Sequence, residues 1–216
     1  MPKVSTFEYQ VAEAKNNVLQ NPAYLFLIDL CVSEKELASI QEEMGNTISL
    51  LPDNTRVGIV TFNKFVHVYE LASKINVVYC VNGSKEYSTK QLMEIMGITI
   101  GSDPRMQTEE VLKRFVVDLH HHRERILRRL RDIKPDPFIY VGERPLRVTG
   151  QALNVATFLA EVSHAPPKIV LLVGGPCTGG PGQVIAQNYK LQMRSAEELG
   201  KGDNIPFFEK ARKFYE

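Results

Sequence analysis

"AYLFLIDLCVSEKELASIQEEMGNTISLLPDNTRVGIVTF", residues 23–62, decides the fold. Ala23–Leu30 is an apolar run of strand length. In the segment after it, Leu37, Ile40, Met44, Ile48 and Leu51 recur at spacings of three and four, the stripe of an amphipathic helix. Ser33 with Glu36 three positions on fits a capping box, and Pro52 marks the exit. Arg56–Phe62 is a second apolar strand. Phe65–Leu71, whose valines alternate with polar residues, reads as its hairpin return.

Outward from this unit the alternation continues. "NVVYCVNG" reads as a strand, and "STKQLMEIMG" as a capped helix stopped by Gly97. "GSDPRMQT", around residues 101–108, reads as a loop. A long helical pattern then runs from about Glu109 to Ile133, with a break expected near His120–His122. "TGQALNVATFLAEV" is a further helix, with Leu153, Ala156, Leu159 and Val162 on one side. Lys168–Val173 reads as a buried strand and Asp203–Tyr215 as a final helix. Strands alternating with helices predict an α/β fold. Its sheet is open and mostly parallel, with helices on both faces and one antiparallel edge hairpin. With no repeat, low-complexity stretch or linker, residues 1–216 read as a single domain.

The composition directs attention away from several partners. Lys+Arg total 26 against 25 Asp+Glu, so a net charge of +1 draws the chain to no polyanion as a whole. No apolar stretch approaches the ~20 residues of a membrane helix, and Met1–Gln10 has no signal-peptide pattern. Cys31, Cys80 and Cys177 are scattered, with no CxxC pair, and read as buried or bystander thiols.

The sharpest local signal is "GGPCTGGPG", residues 174–182, directly after "KIVLLV". A P-loop needs G-x-x-x-x-G-K-[ST], but Gln183 follows Gly182 and the loop holds no lysine. Pro176 and Pro181 each remove a backbone N–H from the would-be cradle. The loop therefore reads as a fixed corner built from Gly174, Gly175, Pro176, Gly179, Gly180, Pro181 and Gly182.

A metal is the next candidate. The von Willebrand factor A-like domain holds a divalent cation above its strand ends with D-x-S-x-S, a threonine and a later aspartate, all hard oxygen donors. "DLCVS" supplies Asp29 and Ser33 at that spacing, and "TGQAL" supplies Thr149. Cys31 replaces a serine, and Gly174 and Gly175 stand where the later carboxylate belongs. Asp29, Ser33 and Thr149 are thus the remnant of a cation site, and no metal or other cofactor is expected. Asp29 has a second reading as the cap of the following helix.

"HHHRERILRRLRDIK", residues 120–134, carries Arg123, Arg125, Arg128, Arg129, Arg131 and Lys134 around an apolar stripe of Ile126, Leu127, Leu130 and Ile133. It reads either as a solvated face or as a basic surface for an acidic membrane. No aromatic residues interleave to stack bases, so nucleic acid is not expected. Consecutive histidines on a helix diverge by about 100° and rarely share one ion.

Five blocks, "YLFLIDLCVSEKEL", "SLLPDNTRVGIVTFNKFVHVYEL", "KQLMEIMGI", "ERPLRVTGQALNVA" and "GGPCTGGPG", together resemble the trunk domain of the COPII inner-coat subunit, the secretory-protein-twenty-three family. That family keeps the A-type fold and has given up its cation. The resemblance implies a scaffold that pairs with the paralogous cargo-adaptor subunit and binds the small coat GTPase. It also implies a cytoplasmic protein, peripheral on endoplasmic reticulum exit sites and COPII vesicles. In the intact family member, hydrolysis on the GTPase is stimulated by an arginine from a C-terminal region. That region, the upstream zinc-binding segment and the downstream helical and gelsolin-like parts have no counterpart here. The chain is therefore expected to be a non-catalytic trunk fragment lacking its last strands, with one sheet edge unpaired. Two other readings stand beside this one: the paralogous cargo-adaptor subunit, and a metal-dependent adhesion-type A-domain. A hydrolase or nucleotide enzyme is disfavoured, since the chain has neither G-x-S-x-G nor a P-loop.

Overall fold

Strand β1 (Ala23–Asp29) and strand β2 (Arg56–Phe62) lie side by side in parallel, Tyr24 beside Val57 and Ile28 beside Thr61. Helix α1 (Glu34–Leu50) makes the crossover between them. This computed structural model describes residues 22–98, 104–138, 140–163, 167–201 and 205–216. Helix α1 starts as its sequence dictates: Ser33 is the N-cap, and the Ser33 and Glu36 side chains cap reciprocally. Leu37, Met44 and Ile48 are its buried stripe.

Strand β3 (Phe65–Tyr69) returns antiparallel to β2, and β4 (Val78–Asn82) returns antiparallel to β3. The expected edge hairpin is thus extended by a third strand into a meander. Helix α2 (Thr89–Met96) is capped by Ser88 and stopped by Gly97. The sheet order is β4-β3-β2-β1-β6, with β6 (Lys168–Leu172) parallel to β1. Interior strands buried on both faces favour near-continuous apolar runs, and β1 and β2 carry them, with Asp29 and Thr61 as their buried polar exceptions. Leu25 and Leu27 with Val60 and Phe62 face one core, with α2, α3 (Pro104–Arg114) and α5 (Thr149–Val162) over it. Phe26 and Ile28 with Val57 and Ile59 face the other, under α1 and α4 (Leu119–Asp132).

Four expectations are corrected. The loop placed at residues 101–108 is helical from Pro104, which opens α3; a proline is well suited to a first helical position because its N–H would be unbonded there. Residues 101–103 lie outside the described residues. The break in the long helix falls before the histidines: Val117–Asp118 form a short strand, β5, against β2, and Asp118 then caps α4 by accepting the His121 N–H at 3.0 Å. Of the final helix expected over Asp203–Tyr215, the helix α7 spans Phe208–Tyr215, with residues 205–207 non-helical and Asp203 outside the described residues; a separate short helix, α6 (Ala196–Lys201), precedes it and was not expected. Strand β6, expected to be buried, is the sheet edge among the described residues, with Lys168 and Ile169 exposed.

Candidate functional site

Asp29 closes β1 at the C-terminal end of the parallel strands, where open α/β sheets place their ligands. It is fully buried. A carboxylate there needs partners, since an unpaired buried charge costs several kcal/mol. It has three. Oδ1 accepts the Cys31 N–H at 2.8 Å. Oδ2 accepts the Gly174 N–H at 2.9 Å and the Arg147 Nε–H at 2.5 Å. The Arg147 side chain is itself only 5% exposed. Its Nη2 donates to the Cys31 carbonyl at 3.0 Å and its Nη1 to the Pro176 carbonyl at 3.3 Å.

The backbone of Arg147 is held as firmly. Its N–H donates to Thr178 Oγ1 at 2.8 Å, and its carbonyl accepts from the N–H groups of Thr178 and Gly179 at 3.0 and 3.2 Å. The Thr178 hydroxyl donates in turn to the Pro145 carbonyl at 2.6 Å. The glycine loop is therefore folded around Arg147. Its N–H groups at Gly174, Thr178 and Gly179 point inward, so they cannot cradle a phosphate. Composition follows the packing: a Cβ at Gly175 would lie 2.6 Å from Arg147 Nη1. Gly180 has φ +73°, and a Cβ there would lie 2.1 Å from the Gly83 carbonyl oxygen. At the far end of the loop, the Tyr215 hydroxyl donates to the Gly182 carbonyl at 3.1 Å. Burial, with a smaller contribution from Cys177, pushes that hydroxyl up to about 12.

The remnant cation residues do not share a partner. The Ser33 hydroxyl donates to Glu36 Oε2 at 2.8 Å as part of the helix cap. Thr149 is the first residue of α5, and its buried hydroxyl has no hydrogen-bond partner among the described residues. Asp29 does not cap α1, as its second reading held, because Ser33 does. Its carboxylate turns back onto Cys31 and takes Arg147 instead. The residues present do not fit a divalent ion: the one carboxylate is already neutralised, and a guanidinium lies among the oxygens. Among the described residues no group of three His, Cys, Asp or Glu is arranged to hold a metal. His121 and His120 turn to different carboxylates, Asp118 at 2.8 Å and Asp53 at 3.6 Å. The three cysteines are free thiols, with Cys177 buried, Cys31 half-buried and Cys80 exposed. Burial, and then the Asp29 carboxylate, pushes the Cys31 thiol well up from its usual range.

Helix α4 is less of a basic surface than its sequence reads. Arg123 donates to the carbonyls of Ile48 and Leu51 and to Asp53, tying off the C-terminal turn of α1. Arg125 donates to the Ala72 carbonyl at 2.5 Å, and Arg129, 7% exposed, to that of Ile75 at 2.5 Å. These two hold the connection between β3 and β4. Only Arg128, Arg131 and Lys134 of the six cations are exposed. The cause is the seating of the helix: burying Ile126, Leu130 and Ile133 carries residues 123, 125 and 129 over to the backbone of neighbouring elements.

Arg147 and Thr178, which organise the site, are not among the residues the sequence reading singles out. The available signal was their position inside two of the quoted blocks, "ERPLRVTG" and "GGPCTGGPG".

An open, mostly parallel α/β sheet with helices on both faces and a buried carboxylate at the end of β1 has the architecture of the von Willebrand factor A-like class. The sequence profile of the Sec23/Sec24 trunk domain matches residues 19–216, and the chain belongs to that family. Among solved structures it is similar to the crystal structure of the human COPII-coat protein Sec24c, at 19% identity and a TM-score of 0.51. The match covers 83% of this chain and 22% of that one, so the chain spans well under half of that protein. At that identity the likeness bears on the fold alone.

Proposed function

We propose that the chain is an interaction scaffold of the inner COPII coat, acting in transport from the endoplasmic reticulum to the Golgi. Its trunk pairs with the paralogous cargo-adaptor trunk and binds the small coat GTPase. The fragment is non-catalytic and needs no cofactor; the intact protein stimulates GTP hydrolysis on its partner. It works on the cytoplasmic side, peripheral to endoplasmic reticulum exit sites and vesicles, with Arg128, Arg131 and Lys134 directed to acidic lipid. The observation that carries this reading is the family match over residues 19–216. The inward-folded glycine loop supports it, since the N–H groups of Gly174, Thr178 and Gly179 are spent on Asp29 and Arg147 rather than turned out toward a nucleotide.

The second reading, the cargo-adaptor subunit itself, is favoured by one observation: the family profile spans both subunits, and the solved likeness is to Sec24c. "ERPLRVTG" and "GGPCTGGPG" favour the GTPase-binding member. Isothermal titration separates the two. Saturable one-to-one binding to a cargo-adaptor trunk, unchanged by chelator, is expected. Binding instead to the trunk of the GTPase-activating subunit would reassign the chain as the adaptor. A folded chain that binds neither would overturn the scaffold reading.

A further inference from the structure

The contacts of Arg147 have a chemical pattern beyond that of an ordinary ion pair. Three oxygens converge on one guanidinium: Asp29 Oδ2, the Cys31 carbonyl and the Pro176 carbonyl. They come from three places, the end of β1, the turn after it and the loop after β6. One carboxylate with backbone carbonyls is a donor set that a hard divalent cation takes, and bare carbonyl oxygens meeting inside a protein need a positive partner. Arginine suits this position because its rigid fork reaches a carboxylate and two further acceptors at once, which a lysine's point charge does not. The room for the fork comes from Gly175, where any Cβ would meet Nη1.

We infer that Arg147 is a tethered cation that stands in for a free one, and that removing its side chain opens a cation site formed by Asp29 and the carbonyls of Cys31 and Pro176. The positive charge that joins β1 to the loop after β6 is supplied by the chain itself. The wild-type protein is therefore indifferent to divalent ions, and the emptied variant is not. The ligand class of the opened site is a small cation, either a planar guanidinium or a divalent metal.

Thermal unfolding tests both halves. For the wild-type chain, midpoints in chelator and in millimolar MgCl2 or MnCl2 should coincide; a rise of several degrees with metal overturns the inference. For Arg147→Ala, breaking a buried pair should lower the midpoint by roughly 10 °C. Millimolar methylguanidinium or MnCl2 should restore part of that loss, beyond the effect of NaCl at matched ionic strength. Neither should move the double variant Asp29→Asn/Arg147→Ala. Rescue by methylguanidinium alone marks a site keyed to the fork, and rescue by manganese alone an oxygen cage open to a metal; both support the inference. An unchanged midpoint in Arg147→Ala overturns it, and so does a loss that neither cation relieves. Should Arg147→Ala fail to fold, Arg147→Lys and Arg147→Met take its place. The lysine variant should melt above the methionine one, and the reverse order shows that the charge is not what the position requires.

Discussion

At Gly180 two constraints meet in one residue: a left-handed backbone and a carbonyl oxygen 2.1 Å from where a Cβ would stand. Replacement by alanine adds the cost of φ +73° to a collision with the Gly83 backbone. Gly180→Ala should therefore cost about 3 kcal/mol or more of folding stability. Gly97 is the control, since it too is left-handed, at φ +62°, but opens onto empty space. Gly97→Ala should cost only about 1 kcal/mol. Urea unfolding of both variants checks this, and equal losses would show that the contact at Gly180 relaxes. The same contrast explains what could be read at this scale. Glycines and prolines announce a constrained corner, so the loop was legible as structural. The partner that constrains it was not: Asp29 and Arg147 are 118 residues apart, and one arginine among 26 basic residues carries no local pattern.

Among the elements, β3 carries a titration switch on its partly covered face. His67 lies with Nδ1 3.5 Å from the Thr61 hydroxyl. Burial lowers its pKa below the usual histidine value, against a smaller opposing pull from Asp136. A lowered value means that the unfolded chain takes up a proton before the folded one does. Stability at this site is therefore full above the ordinary histidine pKa of about 6.5 and declines as pH falls from there toward the folded value. Denaturation midpoints measured between neutral and mildly acidic pH should fall less steeply in His67→Gln than in the wild type. Equal slopes would assign the acid sensitivity to other groups.

Element boundaries were legible where a signal stood at each end. Strand β2 matches its reading because the Asp53–Asn54 turn and the Asn63–Lys64 turn bracket it. The junction at Phe115–Asp118 was not legible, because a two-residue strand leaves no period of its own and its pairing with Arg56 and Val57 is long-range. The stretch around residues 101–108 reads as a loop, yet its Pro104 opens a helix, a position its fixed φ suits.

For the whole molecule, the distribution of positive charge decides what surface is offered. Three of the five arginines of α4 are committed to backbone carbonyls, which leaves Arg128, Arg131 and, just past the helix, Lys134 for solvent. Replacing those three by serine should weaken binding to anionic vesicles by roughly 150-fold at low salt, at about 1 kcal/mol for each cation near the surface, and leave the unfolding midpoint close to wild type. Unchanged vesicle binding would remove α4 from the membrane-facing side. Arg147 bears on the molecule as a whole in another way. A bound ion stabilises a fold in proportion to the logarithm of its concentration, and dilution or competition withdraws it. A charge carried on the chain has no dissociation constant to satisfy and no exchange rate, so the junction of β1 with the glycine loop does not wait on the concentration of any free ion.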